Sequence, residues 1–167
     1  MWRWILGAVL VTLTVRAADS IPLQVGVWPP VQLVCPDSDV RGLKLNLPYT
    51  DNQRVQGIDV GLVSGSEIFG GIQVNLGNWV RDLASGIQVG LANSDGAMEG
   101  LSIGLMNRVD TRLTGMQIGL LNQAEEAGGM QIGLINTADS MVGIQVGLVN
   151  VMRDCRVPCL PIMLFQF

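Results

Sequence analysis

The chain has no histidine, one lysine and one tyrosine among its 167 residues. Without histidine, a serine or cysteine nucleophile lacks its usual base, and histidine-containing zinc sites are excluded. Three cysteines, Cys35, Cys155 and Cys159, are too few for a four-thiolate zinc site. Charge is also sparse, at 14% of residues, with a formal net charge of −4. An acidic chain with few, scattered arginines offers no patch for a phosphate backbone, so nucleic acid is not an expected partner. Any enzyme built here would rely on carboxylates alone. No cofactor and no metal site is expected.

The amino terminus reads as a secretory signal. Arg3 supplies a short positive region, Ile5 to Val15 form an apolar run, and Val15 and Ala17 are small residues at the positions a signal peptidase reads. The run is shorter than the about 20 residues a membrane-spanning helix needs. Cleavage after Ala17 is expected, which removes Arg3 and Arg16 and leaves 8 basic against 14 acidic residues. Export permits disulfides. Cys155 and Cys159, with Pro158 between them, are a candidate bridge closing a small loop, which leaves Cys35 odd.

What the chain has in abundance is one octet, repeated. Copies begin at Gly42, Gly57, Gly71, Gly86, Gly100, Gly115, Gly129 and Gly143, at intervals of 14 or 15 residues. The first position is glycine in every copy. The second, fourth and sixth are aliphatic throughout, as in Ile144, Val146 and Leu148. Alternation with period 2 places such side chains on one face of a strand. That face is expected to be the core, or else to meet lipid. The third position is polar, carrying Lys44, Asp59, Gln73, Gln88, Ser102, Gln117, Gln131 and Gln145, and is expected to point outward. The fifth is glycine or asparagine only, marking a bend, a bulge or a close backbone approach. The eighth is asparagine in six of eight copies. If equivalent positions stack, those amides bond from one copy to the next, as in a parallel solenoid; alternatively each simply opens a turn.

Connectors of seven and six residues alternate through the first six. The longer ones carry Arg54, Arg81, or Arg108 with Arg112, and the charges of the shorter ones are acidic. A unit of two octets follows as a further expectation, with arginine-bearing turns on one edge and acidic turns on the other. The seventh connector, 137–142, breaks this pattern.

The expected fold is all-β, a repeat protein built as a parallel β-solenoid of 14–15-residue units or of 29-residue coils that pair two of them. An eight-stranded antiparallel barrel is the alternative. Octets are short for membrane strands, and aromatic girdles are missing, which favours the solenoid. The expected division is a signal peptide at 1–17, an amino-terminal cap at 18–41, the repeat at 42–150 and a carboxy-terminal cap at 151–167. Both caps are rich in proline and large apolar residues.

The units "GIQVGLVN" and "GMQIGLIN", preceded by "PPVQLV" and "VRGLKLNLPY" and followed by a proline-containing apolar end, resemble the bacterial surface-repeat family of exported proteins first described in spirochaetes. The resemblance covers essentially the mature chain. It implies export and residence at the cell envelope or surface, with no established activity and no catalytic residues to carry over. The sequence departs from the motif at Asp59, Asn75 and Ser102.

Functionally, a non-enzymatic envelope protein is expected. Its candidate contact face is the row Gln73, Gln88, Gln117, Gln131 and Gln145, with amides suited to a glycan or a partner's strand. The plain alternative is that these glutamines are merely solvated. A second class is an integral outer-membrane barrel. The third is a carbohydrate-active enzyme using Asp95 with Glu99, or Glu125 with Glu126; calcium on the same edge lacks the glycine and aspartate spacing of calcium-binding β-roll repeats.

Overall fold

The computed structural model describes residues 21–28, 31–32, 39–154 and 159–166. The expected signal segment, Cys35 and Cys155, and with it the Cys155 to Cys159 bridge, lie outside them. Nine strands form one sheet in the order β2-β1-β3-β4-β5-β6-β7-β8-β9. They are β1 (Ile21–Trp28), β2 (Val31–Gln32), β3 (Asp39–Val74), β4 (Gly77–Val89), β5 (Ala92–Ile103), β6 (Met106–Ile118), β7 (Leu121–Ile132), β8 (Ile135–Met152) and β9 (Cys159–Gln166). From β3 to β8 neighbours are parallel and stack like on like, Gly86 on Gly100 and Gly100 on Gly115. The chain is therefore a parallel β-solenoid, not an antiparallel barrel. Each coil holds one octet and one connector, so the turn is 14 or 15 residues rather than 29.

Connector length accounts for the irregularities of register. Where a six-residue connector lies on a seven-residue one, the ladder slips at the connector, between Val80 and Leu83, Asp95 and Met98, and Val109 and Arg112. Between β7 and β8 both connectors have six residues, and the register runs through unbroken. The connector that breaks the alternation is thus the one that stacks flush.

The glycine that opens each octet is a steric requirement. Gly115 has φ of 135°, and a Cβ there would overlap the carbonyl oxygen of Gly100 in the coil below. L-residues rarely adopt that backbone, and the stack has no room for a side chain. The other opening glycines share both properties. At the fifth position Gly119 stands over the Gly104 carbonyl with the Asn107 amide beside it, so the close approach expected there is present.

The interior departs from expectation. None of the aliphatic residues at octet positions two, four and six is buried. The glutamines of the third position point inward instead, and Gln73, Gln88, Gln117, Gln131 and Gln145 are all 0% exposed. The apolar part of the core comes from the connectors, from pairs such as Val109 with Leu113, Ala124 with Ala127, and Ala138 with Met141. A strand's alternation groups side chains by face but does not say which face is inside.

Both ends keep this polarity. In β1, Gln24 is buried opposite Lys44, while Leu23 is exposed opposite Leu43. Strand β9 runs antiparallel along β8, with Leu164 inward over Gln145 and Phe165 outward beside Ile144.

Gly115→Ala is expected to lower stability by at least about 3 kcal/mol, through a forbidden φ and a clash with backbone. Gly128→Ala is the control, because Gly128 has no such φ and its Cβ would meet nothing closer than 3.4 Å. Urea midpoints of the two variants, read by circular dichroism, check the contrast.

Candidate functional site

Two arrays run the length of the stack, and they lie on opposite sides of the same strands. The inner array is polar. Asn78, Asn93, Asn107, Asn122, Asn136 and Asn150 form a continuous ladder, each side-chain amide donating to the next at 2.7–2.9 Å. The same nitrogen donates again, to the carbonyl at octet position four of the next coil, as from Asn107 to Ile118 at 3.0 Å. Both amide hydrogens are thus used, which removes the cost of burying the group. The glutamine column makes a second, interrupted ladder, with Gln88 donating to Gln73, Gln131 to Gln117 and Gln145 to Gln131.

At the amino-terminal end the ladders finish in a charged cluster. Lys44 donates to Ser64 at 2.9 Å and to the Gly65 carbonyl at 3.0 Å, and it lies 3.7 Å from Asp59, both side chains fully buried. Asp59 also accepts from Asn46, from Ser64 at 2.5 Å and from Gln73 at 3.1 Å. Burial lowers the Lys44 ammonium, opposed chiefly by the Asp59 charge. The two departures Asp59 and Asn75 sit here, where Asn75 starts the asparagine ladder by donating to Asn78 at 2.8 Å.

The third departure, Ser102, interrupts the glutamine column. Its side chain is too short to reach the glutamines on either side, and it bonds Asn107 at 3.0 Å instead. Gln88 turns to Asp95 at 2.9 Å, and Asp95 Oδ2 has no protein partner among the described residues. Asp95 occupies a connector site where the coils on either side carry Val80 and Val109, both buried. Burial pushes its carboxyl from 3.8 up to about 7, opposed by the Gln88 hydrogen bond, with the Asp110 charge adding to the rise.

The outer array is apolar. Octet positions two, four, six and seven all face outward, because the bend after the fifth residue puts the sixth and seventh on the same side and returns the eighth to the interior. Residues four to six of successive octets line a trough of about 710 Å³, with a floor of glycines such as Gly104 and Gly119 and walls such as Ile118, Leu120 and Leu134. Its far end is closed by Ile162, whose φ of 74° is unusual for a β-branched residue. No charged residue lines it. Trp79, 64% exposed, is the first residue of its connector, in the column continued by Ser94 and Arg108.

Within the repeat, exposed charge lies in the connectors, which stack on one edge rather than two. Across coils there Arg112 pairs with Glu126 at 2.8 Å and Arg81 with Asp51 at 2.9 Å, and Arg153, after the last octet, pairs with Asp139 at 2.8 Å. These pairs are exposed and contribute little each.

The residues expected to carry function are redistributed. The glutamine row is not a contact face but the inner lining of the coils. Asp95 is buried while Glu99 is exposed, so the two do not share a site. Glu126 is bound to Arg112, and the shallow hollow it borders contains no second carboxylate among its lining residues. Among the described residues no three acidic or thiol groups converge as metal ligands. The chain matches no protein-family model, no curated protein and no solved structure. The missed surface had a signal in the sequence: the seventh octet position is mostly aliphatic like the sixth, which a strand with one wet face would not require.

Between about pH 4 and 7 folded Asp95 holds a proton that the unfolded chain releases, so stability is expected to fall as pH rises through this window. Asp95→Asn should abolish that slope and exceed wild type at pH 8 by on the order of 3–4 kcal/mol, while at pH 4 the two should match. Urea unfolding at both pH values measures the difference.

Proposed function

We propose that the chain is a non-enzymatic, exported cell-envelope repeat protein that serves as an interaction scaffold, and that its contact surface is the apolar octet face. The observation that carries this reading is the outward placement of aliphatic side chains in coil after coil, with charge held to the connector edge. Soluble monomers seldom expose contiguous apolar patches beyond a few hundred Å², and larger ones mark contact sites. With octet residues about 3.3 Å apart and coils about 4.8 Å apart, this face measures roughly 20 by 30 Å before side-chain relief is counted. The signal-like amino terminus supports export, and the resemblance to surface-repeat proteins supports the envelope.

The regularity of the stack supports a structural rather than a catalytic role. Each coil offers the same outer side chains, so no single place on the apolar face gathers chemically distinct groups, which catalysis requires. The trough presents hydrocarbon and glycine backbone whose amides are already engaged between coils.

In a diderm expression host, the full chain is expected in the envelope fraction with its leader removed. The triple variant Leu105→Asp, Leu120→Asp, Leu134→Asp changes outward positions only and should shift the protein to the soluble exported fraction, with the β-type spectrum retained. Fractionation with immunodetection and mass measurement of the amino terminus reads both. Retention of the unprocessed chain in the cytosol, or an unchanged distribution of the variant, would overturn the proposal.

A further inference from the structure

We infer that the occupant of the apolar face is lipid hydrocarbon, so that the solenoid lies flat on a bilayer with its octets immersed in the acyl layer and its connectors in water. This rests on the reading of that face as the contact surface and names what it contacts.

The first argument is the absence of hydrogen-bonding demand. Protein interfaces carry roughly one hydrogen bond per 100–200 Å², and a protein partner would bring polar groups of its own that need partners. In the repeat, octet positions two, four and six carry only aliphatic side chains. The backbone beneath is bonded between coils, as from Gly104 to the Ile118 carbonyl at 2.9 Å and from Leu105 to the Leu91 carbonyl at 3.0 Å. Hydrocarbon is the medium that asks for nothing this face lacks, and a backbone whose polar groups are satisfied internally is what such a medium demands.

The second argument is register. A second copy laid face to face would slide from one coil to the next and meet nearly the same surface at each step, because Leu91, Leu105, Leu120, Leu134 and Leu148 repeat one side chain along the axis. Within the octets nothing singles out one docking position, so the repeat does not specify a unique dimer. A fluid acyl layer needs no register.

The third argument is the border. Trp79 is exposed at the first connector position, where the octet ends and the column continues to Arg108, a place at which an amphipathic ring suits headgroup depth. Further along, exposed Met163 and Phe165 of β9 extend the apolar face past the last octet, although β9 is not a repeat. The connector charges, paired as Arg112 with Glu126 and Arg153 with Asp139, stay on the other edge. Because the chain is net acidic and the trough has no basic residue, the interaction is apolar rather than electrostatic, and neutral lipid suits it better than anionic lipid.

The test is flotation of the chain, purified as processed by the host, with phosphatidylcholine vesicles. It is expected to float with them, unaffected by high salt and less well with vesicles rich in phosphatidylglycerol. Brominated acyl chains should quench the part of the tryptophan emission that Trp79→Phe removes. The triple Leu105→Asp, Leu120→Asp, Leu134→Asp variant should lose vesicle binding by at least about tenfold, less than the loss of one aliphatic contact would allow. Wild-type protein that remains with the lipid-free fractions overturns the inference. If that protein instead sediments as a dimer that the triple variant dissociates, the occupant is a second copy and the apolar face remains the contact surface. If it neither floats nor dimerises and the triple variant also leaves envelope fractionation unchanged, the apolar-face reading fails with it.

Discussion

A buried side-chain amide in this chain finds its partner in the neighbouring coil, and that requirement organises the fold. Asn107 receives from Asn93 and gives to Asn122, and its second hydrogen goes to the Ile118 carbonyl one coil further on. No arrangement within a single coil offers such a set, so a rung is satisfied only when equivalent residues lie one above another. Parallel stacking, a coil length held to 14 or 15 residues, glycine at the first octet position and glycine or asparagine at the fifth accord with it. Coils at that separation bring the backbone of Gly115 against the carbonyl of Gly100, and there a side chain has no place.

Filling the interior with amides sends the aliphatic side chains out. Such a stack would be unstable if its core were polar alone, and the connectors prevent this by contributing inward residues such as Leu113, Met98 and Phe69 at the opposite end of the coil's cross-section. The section is therefore graded from an apolar outer face through a hydrogen-bonded interior and a small apolar core to a charged edge. The irregular members fit this gradient. The Lys44 and Asp59 pair, below Gln24 of β1, meets burial with charge and dense hydrogen bonding, whereas Asp95 stands among valines with one amide for company, and its carboxyl is displaced accordingly.

Much of this was legible in the residues before any coordinates. The octets are strands, because that follows from periodicity; the coil length stood at one octet or two, and the asparagine column at a ladder or a set of turns, until the stacking decided both. The interior lining was not legible. Gln131 and Ile132 alternate identically whether the strand faces one way or the other, and hydrophobicity alone argues for the wrong choice when a face is to meet something other than water. The connectors hid their role too. Ala124 and Ala127 sit among acidic residues in "QAEEAG", and their inward direction appears only once the turn between them is seen. The arginine-bearing and acidic connectors stack on one edge rather than two, and Arg112 with Glu126 is the pair that joins one kind to the other across adjacent coils.

The sequence by itself determined the repeat, the strand character of each octet and the glycine and asparagine positions, since these depend on local stereochemistry and on identity between copies, while the parallel stacking of like on like came from the tertiary structure. The tertiary structure decided which side of the strand is inside, because that depends on how each coil closes and on the inward amides meeting their equivalents in the neighbouring coils. It therefore also decided that the surface presented by the chain is aliphatic, a property belonging to the closed coil and not to any one octet.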